Sequence, residues 1–196
     1  PAFVTTVHGL NSAGVYSGVM ASGDRVICVS NTVREHVLRQ WPATDPGKLV
    51  VIERGIDPAQ FPRDALVDAD TRAQWQAEFP ALAGGFVLLM PGRGTRLKGH
   101  HTAIGLLAAL RARGLDARLW LLGTRDAGRE AYVAELEQRA VSLGVAGQIA
   151  ISAPRGDIAR AYAMSDLVLQ LSERPEAFGR TVLEALAVGK PVLGWD

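Results

Sequence analysis

Short apolar runs alternate with longer amphipathic stretches along most of this chain. Runs of this kind predict strands at 3–8, 25–30 and 48–53 in the first part of the chain. From Phe86 onward they predict strands at 86–91, 117–122, 148–151 and 166–171, separated by helices at about 99–113, 129–143 and 155–164. Strands that alternate with helices of this length are typical of a parallel sheet with right-handed crossovers. The sequence therefore predicts an α/β fold.

The regular pattern is interrupted in the middle of the chain. Residues 57–85 include Pro58, Pro62 and Pro80, although 70–79 is compatible with a helix. We therefore predict a domain at 1–63, a linker at 64–85 and a second domain at 86–196.

The composition excludes several classes of protein. With 48% hydrophobic and 21% charged residues, 196 residues form one large or two small folded domains. A net charge of +1 gives no electrostatic basis for binding nucleic acid or for strong adhesion to anionic lipid. One cysteine, Cys28, excludes an internal disulfide and a cysteine-based zinc site. We expect no transmembrane helix and no signal peptide, and hence a cytoplasmic protein.

A strand, loop, helix and strand follow one another near the end of the chain. After the run 166–171, Pro175 breaks the strand, a helix opens near Gly179, and Gly189 and Pro191 end it. Backbone N–H groups at a helix start form an anion site. The residues whose N–H groups would face a phosphate are Phe178, Gly179, Arg180 and Thr181.

Two glutamates accompany this helix start. Glu184, inside the helix, is placed to accept hydrogen bonds from a vicinal diol such as a ribose, and Glu176 lies where a second polyhydroxylated group would fall. A sugar joined by a diphosphate to a ribose fits that order. The simpler interpretation, a surface ion pair for Glu184 and a loop position without function for Glu176, stays open at this point.

A second candidate element is the turn after the strand at 86–91. Its glycines, Gly92 among them, allow the backbone to approach a ligand, and Arg93 and Lys98 supply charge for a diphosphate. The order Lys98-Gly99 does not fit a P-loop, and the glycine spacing does not fit a dinucleotide fingerprint. The alternative is a solvated basic loop. An Asp-x-Asp pair, Asp68 and Asp70, is better explained as a solvated acidic patch than as a metal site.

These motifs together resemble one enzyme family. The runs PEAFG at 175–179, EA at 184–185 and GKPV at 189–192 look like the signature of family-4 glycosyltransferases. The resemblance implies the GT-B fold, in which two Rossmann-like domains form a retaining, nucleotide-sugar-dependent enzyme. It covers nearly all of the chain, and the family's enzymes are longer, so we expect a fragment that is inactive alone.

The resemblance also assigns roles to residues. It implies catalytic or transition-state roles for Glu176, Arg93 and Lys98, and for His8, which would face the donor sugar. It places Pro154 and Arg155 at the nucleotide base, and Tyr162 also matches, although core packing explains Tyr162 more simply. The residues assigned to donor binding are Glu184, Ala177, Phe178, Gly179, Arg180, Thr181, Gly92, Pro154 and Arg155.

The implied reaction transfers a sugar from a nucleotide-diphosphate sugar to a glycan or glycolipid acceptor, with no cofactor and no metal. The text around Thr5–Ser12 and Tyr16 is similar to the lipopolysaccharide and surface-polysaccharide branch, whose members can associate peripherally with the cytoplasmic face of the inner membrane. A non-catalytic nucleotide-sugar-binding or scaffolding module of the same fold is the alternative from another class. A GT-B epimerase or phosphorylase fits the glutamate motif less well.

Overall fold

The computed structural model describes residues 2–63 and 67–195 and contains two parallel sheets. Pro1, residues 64–66 and Asp196, which include the start of the predicted linker, lie outside the described range. Contacts divide the chain into two compact units. The first unit consists of the residues up to Gly55 together with Arg174–Arg180, and the second of Ile56–Glu173 together with the residues from Thr181 onward. The predicted α/β fold is confirmed.

The first unit is built on a three-stranded parallel sheet. Its strands, in spatial order, are β1 (Val4–Val7), β2 (Arg25–Cys28) and β3 (Leu49–Val51). A single helical turn, α1 (Val15–Gly18), and the helix α2 (Asn31–Gln40) connect them. Val33 and Val37 of α2 pack against Val7, Val26 and Cys28 of the sheet, and these residues are buried. These side chains form the small apolar core of the first unit.

The second unit contains a five-stranded parallel sheet. The strands, in chain order, are β4 (Phe86–Pro91), β5 (Ala117–Leu122), β6 (Ile149–Ser152), β7 (Leu167–Gln170) and β8 (Val192–Gly194). Their spatial order is β6-β5-β4-β7-β8. Side chains alternate between the two faces of a strand. Accordingly Leu119 and Leu121 of β5 enter one core cluster, while Trp120 and Leu122 enter the other.

Helices cover both faces of this sheet. They are α3 (Ala69–Glu78), α4 (His100–Ala112), α5 (Glu130–Ser142), α6 (Ile158–Met164) and α7 (Arg180–Ala187). On one face lie Ile104 of α4 and Leu136 of α5, and on the other Trp75 of α3, Tyr162 of α6 and Ala185 of α7. Two covered faces account for the continuous apolar runs of β4 and β5.

Residues 67–85, the described part of the predicted linker, are folded onto the second unit. The structure places residues 69–78 in α3 and residues 80–82 in a 3₁₀ turn. Phe61, Trp75 and Leu82 are at most 7% exposed and belong to one core cluster of this unit. The contact boundary lies after Gly55, not after residue 63. Proline spacing indicated an irregular chain here, but the aromatic side chains bury enough apolar surface to hold it in place.

Asp68 is exposed, as a solvated acidic residue would be, and has a capping role that the sequence analysis did not assign, while the start of α6 differs from the predicted bound. Asp68 is the N-cap of α3, and its carboxylate accepts hydrogen bonds from the Thr71 backbone N–H and hydroxyl at 2.7 and 3.0 Å. These bonds lower the pKa of Asp68, the backbone bond most strongly. The helix predicted at 155–164 begins at Ile158, because residues 153–157 form a loop instead.

A buried histidine ties the start of α4 to its neighbours. His100 is 0% exposed, with Nε2 3.0 Å from Thr124 Oγ1 and Nδ1 3.3 Å from the Tyr132 hydroxyl. Burial lowers the pKa of His100 to about 4, against a smaller opposing effect of a hydrogen bond to the Thr95 backbone. The imidazole is therefore neutral at pH 7 and holds α4, the turn after β5 and α5 together.

Within the described residues no helix is both long and apolar enough to cross a bilayer. The same part of the chain contains no group of three or more His, Cys, Asp or Glu side chains placed to hold a metal ion.

Replacing Trp75 by alanine tests whether α3 is part of the second unit. Trp75 packs edge-on against Trp120, with ring centroids 5.3 Å apart. We expect Trp75→Ala to lower the free energy of unfolding by about 3–5 kcal/mol, because the substitution leaves a large cavity. Urea unfolding followed by circular dichroism measures the loss. Gln74→Ala, on the exposed side of α3, is the control and should change stability by less than about 0.5 kcal/mol. Equal stabilities of the two variants would show that residues 69–78 act as a linker.

The buried His100 predicts a specific dependence of stability on pH. The unfolded chain binds a proton near the ordinary histidine pKa of about 6.5, whereas the folded chain does so only near pH 4. The stability that the buried His100 contributes to the fold is therefore fully present above about pH 6.5. It declines by about 3 kcal/mol as the pH falls from about 6.5 to about 4. His100→Gln should lack this part of the slope in urea titrations between pH 7 and 4. His101→Gln, which alters a partly exposed ring paired with Glu135, should retain it. The prediction fails if His100→Gln follows the wild-type slope.

Candidate donor-binding site

The order of the strands marks one edge of the second sheet as the place for a ligand. The chain runs from β4 outward through β5 and β6, then returns to the other side of β4 with β7 and β8. Because all five strands are parallel, their carboxyl ends lie at one edge. The reversal between β4 and β7 leaves a crevice there, where α/β sheets bind ligands. The segments that follow β4 and β7 are the two that the sequence analysis selected.

The basic turn after β4 is held in a compact form. The stem of Lys98 lies across Gly92, so that a Cβ on Gly92 would be 3.5 Å from Lys98 Cδ. Gly94 is closer still to its neighbour, since a Cβ there would lie 2.3 Å from the Thr124 carbonyl oxygen. Arg93 is exposed and Lys98 half-buried. The glycines thus serve close packing of the turn and bring two cations to the carboxyl end of β4.

The same turn is fastened to the end of β7. Gly99 has a left-handed backbone with φ +80°, and a Cβ on it would lie 2.0 Å from the Leu171 carbonyl oxygen. The Glu173 N–H donates a 2.9 Å hydrogen bond to the Leu97 carbonyl. Only glycine combines this conformation with this approach. The structure therefore brings the basic turn and the chain that leads toward α7 together within the second unit.

Glu184 lies on the half-buried side of α7 and has a partner in the core. Its Oε2 accepts a 2.9 Å hydrogen bond from the hydroxyl of Tyr162, which is 1% exposed. The prediction that Tyr162 packs in the core is thus correct but incomplete, because the Tyr162 hydroxyl also orients the Glu184 carboxylate. Ala185 and Val188 bury the same side of the helix, while Leu183 and Leu186 are exposed. The sequence analysis noted Tyr162 as a family match but gave no signal of its bond to Glu184.

The loop before α7 belongs to the first unit. Glu176, Ala177 and Phe178 are half-buried, and the two apolar side chains pack against the core of that unit. Gly179 has φ +78° and precedes the exposed Arg180, the first residue of α7. Because a left-handed backbone favours glycine, this conformation explains why residue 179, just before the helix, is a glycine.

The first unit also carries His8 and Ser30 at the carboxyl ends of adjacent strands. His8 is exposed directly after β1, and Ser30 follows β2, with Val7 paired to Cys28 in the sheet. The Ser30 hydroxyl donates a hydrogen bond to the Ala177 carbonyl. His8 and the Glu176 loop therefore both lie at the carboxyl edge of the first sheet.

Residues after β6 line a cleft of about 630 Å³. Pro154 is exposed, and the half-buried Arg155 forms ion pairs with Asp157 at 2.8 Å and Glu78 at 3.0 Å. The hydrogen bond to Asp157 raises the pKa of Arg155, and the same bond lowers the pKa of Asp157. The guanidinium carbon also lies 4.7 Å from the centre of the Trp75 ring. Sequence reasoning selected Arg155 but gave no indication of these partners on α3.

Two family models match adjoining parts of the chain. The model described as glycosyl transferases group 1 matches residues 71–196, and the model described as glycosyltransferase family 4 matches residues 1–60. The first model covers the second sheet and the basic turn, and the second model covers the first sheet.

Curated relatives with similar sequences are named D-inositol 3-phosphate glycosyltransferase. The protein from Jonesia denitrificans is 33% identical over 174 residues, which is 86% of this chain and 40% of that protein. The protein from Salinispora arenicola is 31% identical over 184 residues, 89% of this chain and 40% of that protein. The chain therefore spans about 40% of the length of these curated relatives.

Solved structures share the fold. A glycosyltransferase from Rickettsia africae superposes with a TM-score of 0.80 at 29% identity, over 98% of this chain and 51% of that one. HepE from Anabaena, solved with UDP-glucose, gives a TM-score of 0.82 at 24% identity, over 97% of this chain and 52% of that one. Since the group 1 model matches more than half of the chain, this protein belongs to the group 1 glycosyl transferases.

Proposed function

We propose that this chain binds a nucleotide-diphosphate sugar and supplies most of the donor site of a retaining glycosyltransferase. The observation that carries the proposal is the junction of the basic turn with the end of β7 at the switch point of the second sheet. Two cations and a half-buried glutamate are built on the elements that follow these two strands. Membership in the group 1 family supports the same assignment.

Each part of the donor meets a group of matching chemistry in this proposal. Glu184, oriented by Tyr162, accepts hydrogen bonds from the ribose hydroxyls. Arg93 and Lys98 neutralise the diphosphate, and the N–H groups at the start of α7 contribute further hydrogen bonds. The cleft beside Pro154 is large enough for the base. These cations supply the charge that a metal ion supplies in other sugar transferases, so donor binding requires no metal.

The proposed chemistry follows from the charge that develops as the donor breaks. The bond between the anomeric carbon and the diphosphate oxygen breaks, and both bonding electrons stay on the diphosphate. Arg93 and Lys98 stabilise that negative charge. The acceptor hydroxyl attacks the oxocarbenium-like carbon from the face that the diphosphate leaves, and its proton passes to the diphosphate. Glu176 and His8 position sugar hydroxyls, and configuration is retained.

The acceptor has two candidate classes. The curated relatives are named for D-inositol 3-phosphate, which favours a phosphorylated polyol. The resemblance of the segment around Thr5–Ser12 to surface-polysaccharide enzymes favours a glycan or glycolipid of the cell envelope. We propose the phosphorylated polyol first, because the named relatives match 86–89% of this chain. Since the chain spans about 40% of those relatives, we expect donor binding from residues 1–196 without sugar transfer.

Calorimetric titration of the 196-residue chain with UDP-, GDP- and ADP-glucose tests the donor site. We expect one of the three to bind, and EDTA to leave its Kd unchanged. Lys98→Ala and Glu184→Gln should each weaken binding by about tenfold to hundredfold, because each removes a charged hydrogen-bonding partner. Tyr162→Phe should weaken it less, since the carboxylate remains.

Lys190→Ala, which removes a half-buried lysine after α7, is the matched control for Lys98→Ala and should bind as the wild type does. The proposal is wrong if none of the three nucleotide sugars binds, or if Lys98→Ala binds as tightly as Lys190→Ala.

A further inference from the structure

Ser30 makes two hydrogen bonds with one hydroxyl group. Its oxygen accepts from the Val33 N–H at 3.1 Å, which makes it the side-chain N-cap of α2. Its proton goes to the carbonyl oxygen of Ala177, 147 positions further along the chain. A serine hydroxyl has one proton to donate and lone pairs to accept. The cap uses a lone pair and the distant contact uses the proton, so the two roles are chemically separable.

The second bond fixes a peptide group between two proposed functional groups. Glu176 directly precedes Ala177, and the N–H of Phe178 belongs to the same peptide plane as the Ala177 carbonyl. In a trans peptide the carbonyl and the N–H point in opposite directions. With the carbonyl directed at Ser30, the Phe178 N–H is directed away from it. The proton of Ser30 is thus directed at the group that defines the orientation of this peptide plane.

The rest of the loop has apolar support in the same unit. Ala177 and Phe178 pack against the core that also contains Val33 of α2. Packing of this kind locates a segment but does not determine the rotation of a peptide plane, whereas a hydrogen bond to its carbonyl does. The loop Arg174–Arg180 of the first unit is thus held by apolar packing and by the hydrogen bond from Ser30 to the Ala177 carbonyl.

We propose that Ser30 is a positioning residue, which orients the Phe178 N–H for the donor through its bond to the Ala177 carbonyl and so holds the loop that carries Glu176. This role rests on the proposed donor-binding function. It differs from helix capping, which would support α2 and leave the loop unaffected. The proposed role requires no contact between Ser30 and the substrate.

Four substitutions separate the two roles. Ser30→Thr keeps both the cap and the proton. Ser30→Gly removes the proton but weakens the cap only slightly, since glycine is tolerated at N-caps. Ser30→Asp retains a strong cap, and its ionised carboxylate has no proton to donate. Asp68→Ala is the matched control, because it removes the N-cap of α3 in the second unit and leaves Ser30 intact.

Amide hydrogen exchange of residues 174–180, measured without ligand, tests the loop directly. We expect Ser30→Gly and Ser30→Asp to speed exchange there by about tenfold, as loss of the bond leaves the loop free to reorient. Ser30→Thr and Asp68→Ala should match the wild type. Asp68→Ala should nevertheless lower Tm by about 2–4 °C. Wild-type exchange in both Ser30→Gly and Ser30→Asp would overturn the proposal and leave Ser30 as a helix cap.

Affinity for the nucleotide sugar that binds the wild type tests the functional consequence. We expect about tenfold weaker binding for Ser30→Gly, with little change in Tm, and unchanged binding for Asp68→Ala. Equal binding by Ser30→Gly and the wild type would also overturn the proposal. If the wild type binds no nucleotide sugar, the donor-binding function fails, whereas the exchange experiment still decides whether Ser30 holds the loop.

Discussion

The close approach of Gly99 to the Leu171 carbonyl is the constraint on which the candidate site depends. Parallel strands place all their carboxyl ends at one edge, but that alone does not decide which loops meet. The reversal of strand order makes β4 and β7 neighbours, and the left-handed Gly99 lets the turn after β4 rest on the end of β7. Any side chain at residue 99 would occupy the space of that carbonyl. The position of Lys98, one residue earlier, follows from this backbone contact.

Buried polar groups of the second unit also hold the turn after β4 in place, through His100. His100 follows Gly99 directly and is held by Thr124 and Tyr132. A neutral imidazole can satisfy one donor and one acceptor in a site that excludes water. Neighbouring Arg96 pairs with Glu135 of α5 at the surface. The turn that carries Arg93 and Lys98, the side chains proposed to bind the diphosphate, is thus held in place both by core contacts of His100 and by the ion pair with α5. Such contacts favour a preorganised site.

Much of the fold was predictable because its signal is local. The strands at 86–91 and 117–122 have the predicted bounds, since long apolar runs between turn residues leave little choice. The helix at 70–79 was predictable to within one residue at each end, but the packing of this segment onto the second unit was not. The prolines around this segment indicate irregular chain, whereas the burial of Trp75 depends on Trp120, which lies far away in sequence. Tertiary partners of this kind leave no periodic pattern near the residue itself.

The candidate site shows the same division between local and distant causes. Glycines, cations and glutamates at the ends of strands could be selected from sequence, because the chemistry of a residue and its place after a strand are both local. The residues that orient these groups could not be selected from the sequence. Tyr162 acts on Glu184, Glu78 on Arg155 and Ser30 on Ala177 across long sequence separations.

With a net charge of +1, the chain has no strong overall field to attract a diphosphate. Arg96, Arg125 and Arg155 are each paired with carboxylates, which reduces the long-range attraction of their charges for an anion. Affinity for an anion must then come from short-range contacts, whose strength depends on direction as well as distance. In the proposed donor site, the residues that orient these contacts therefore matter for binding together with the cations themselves.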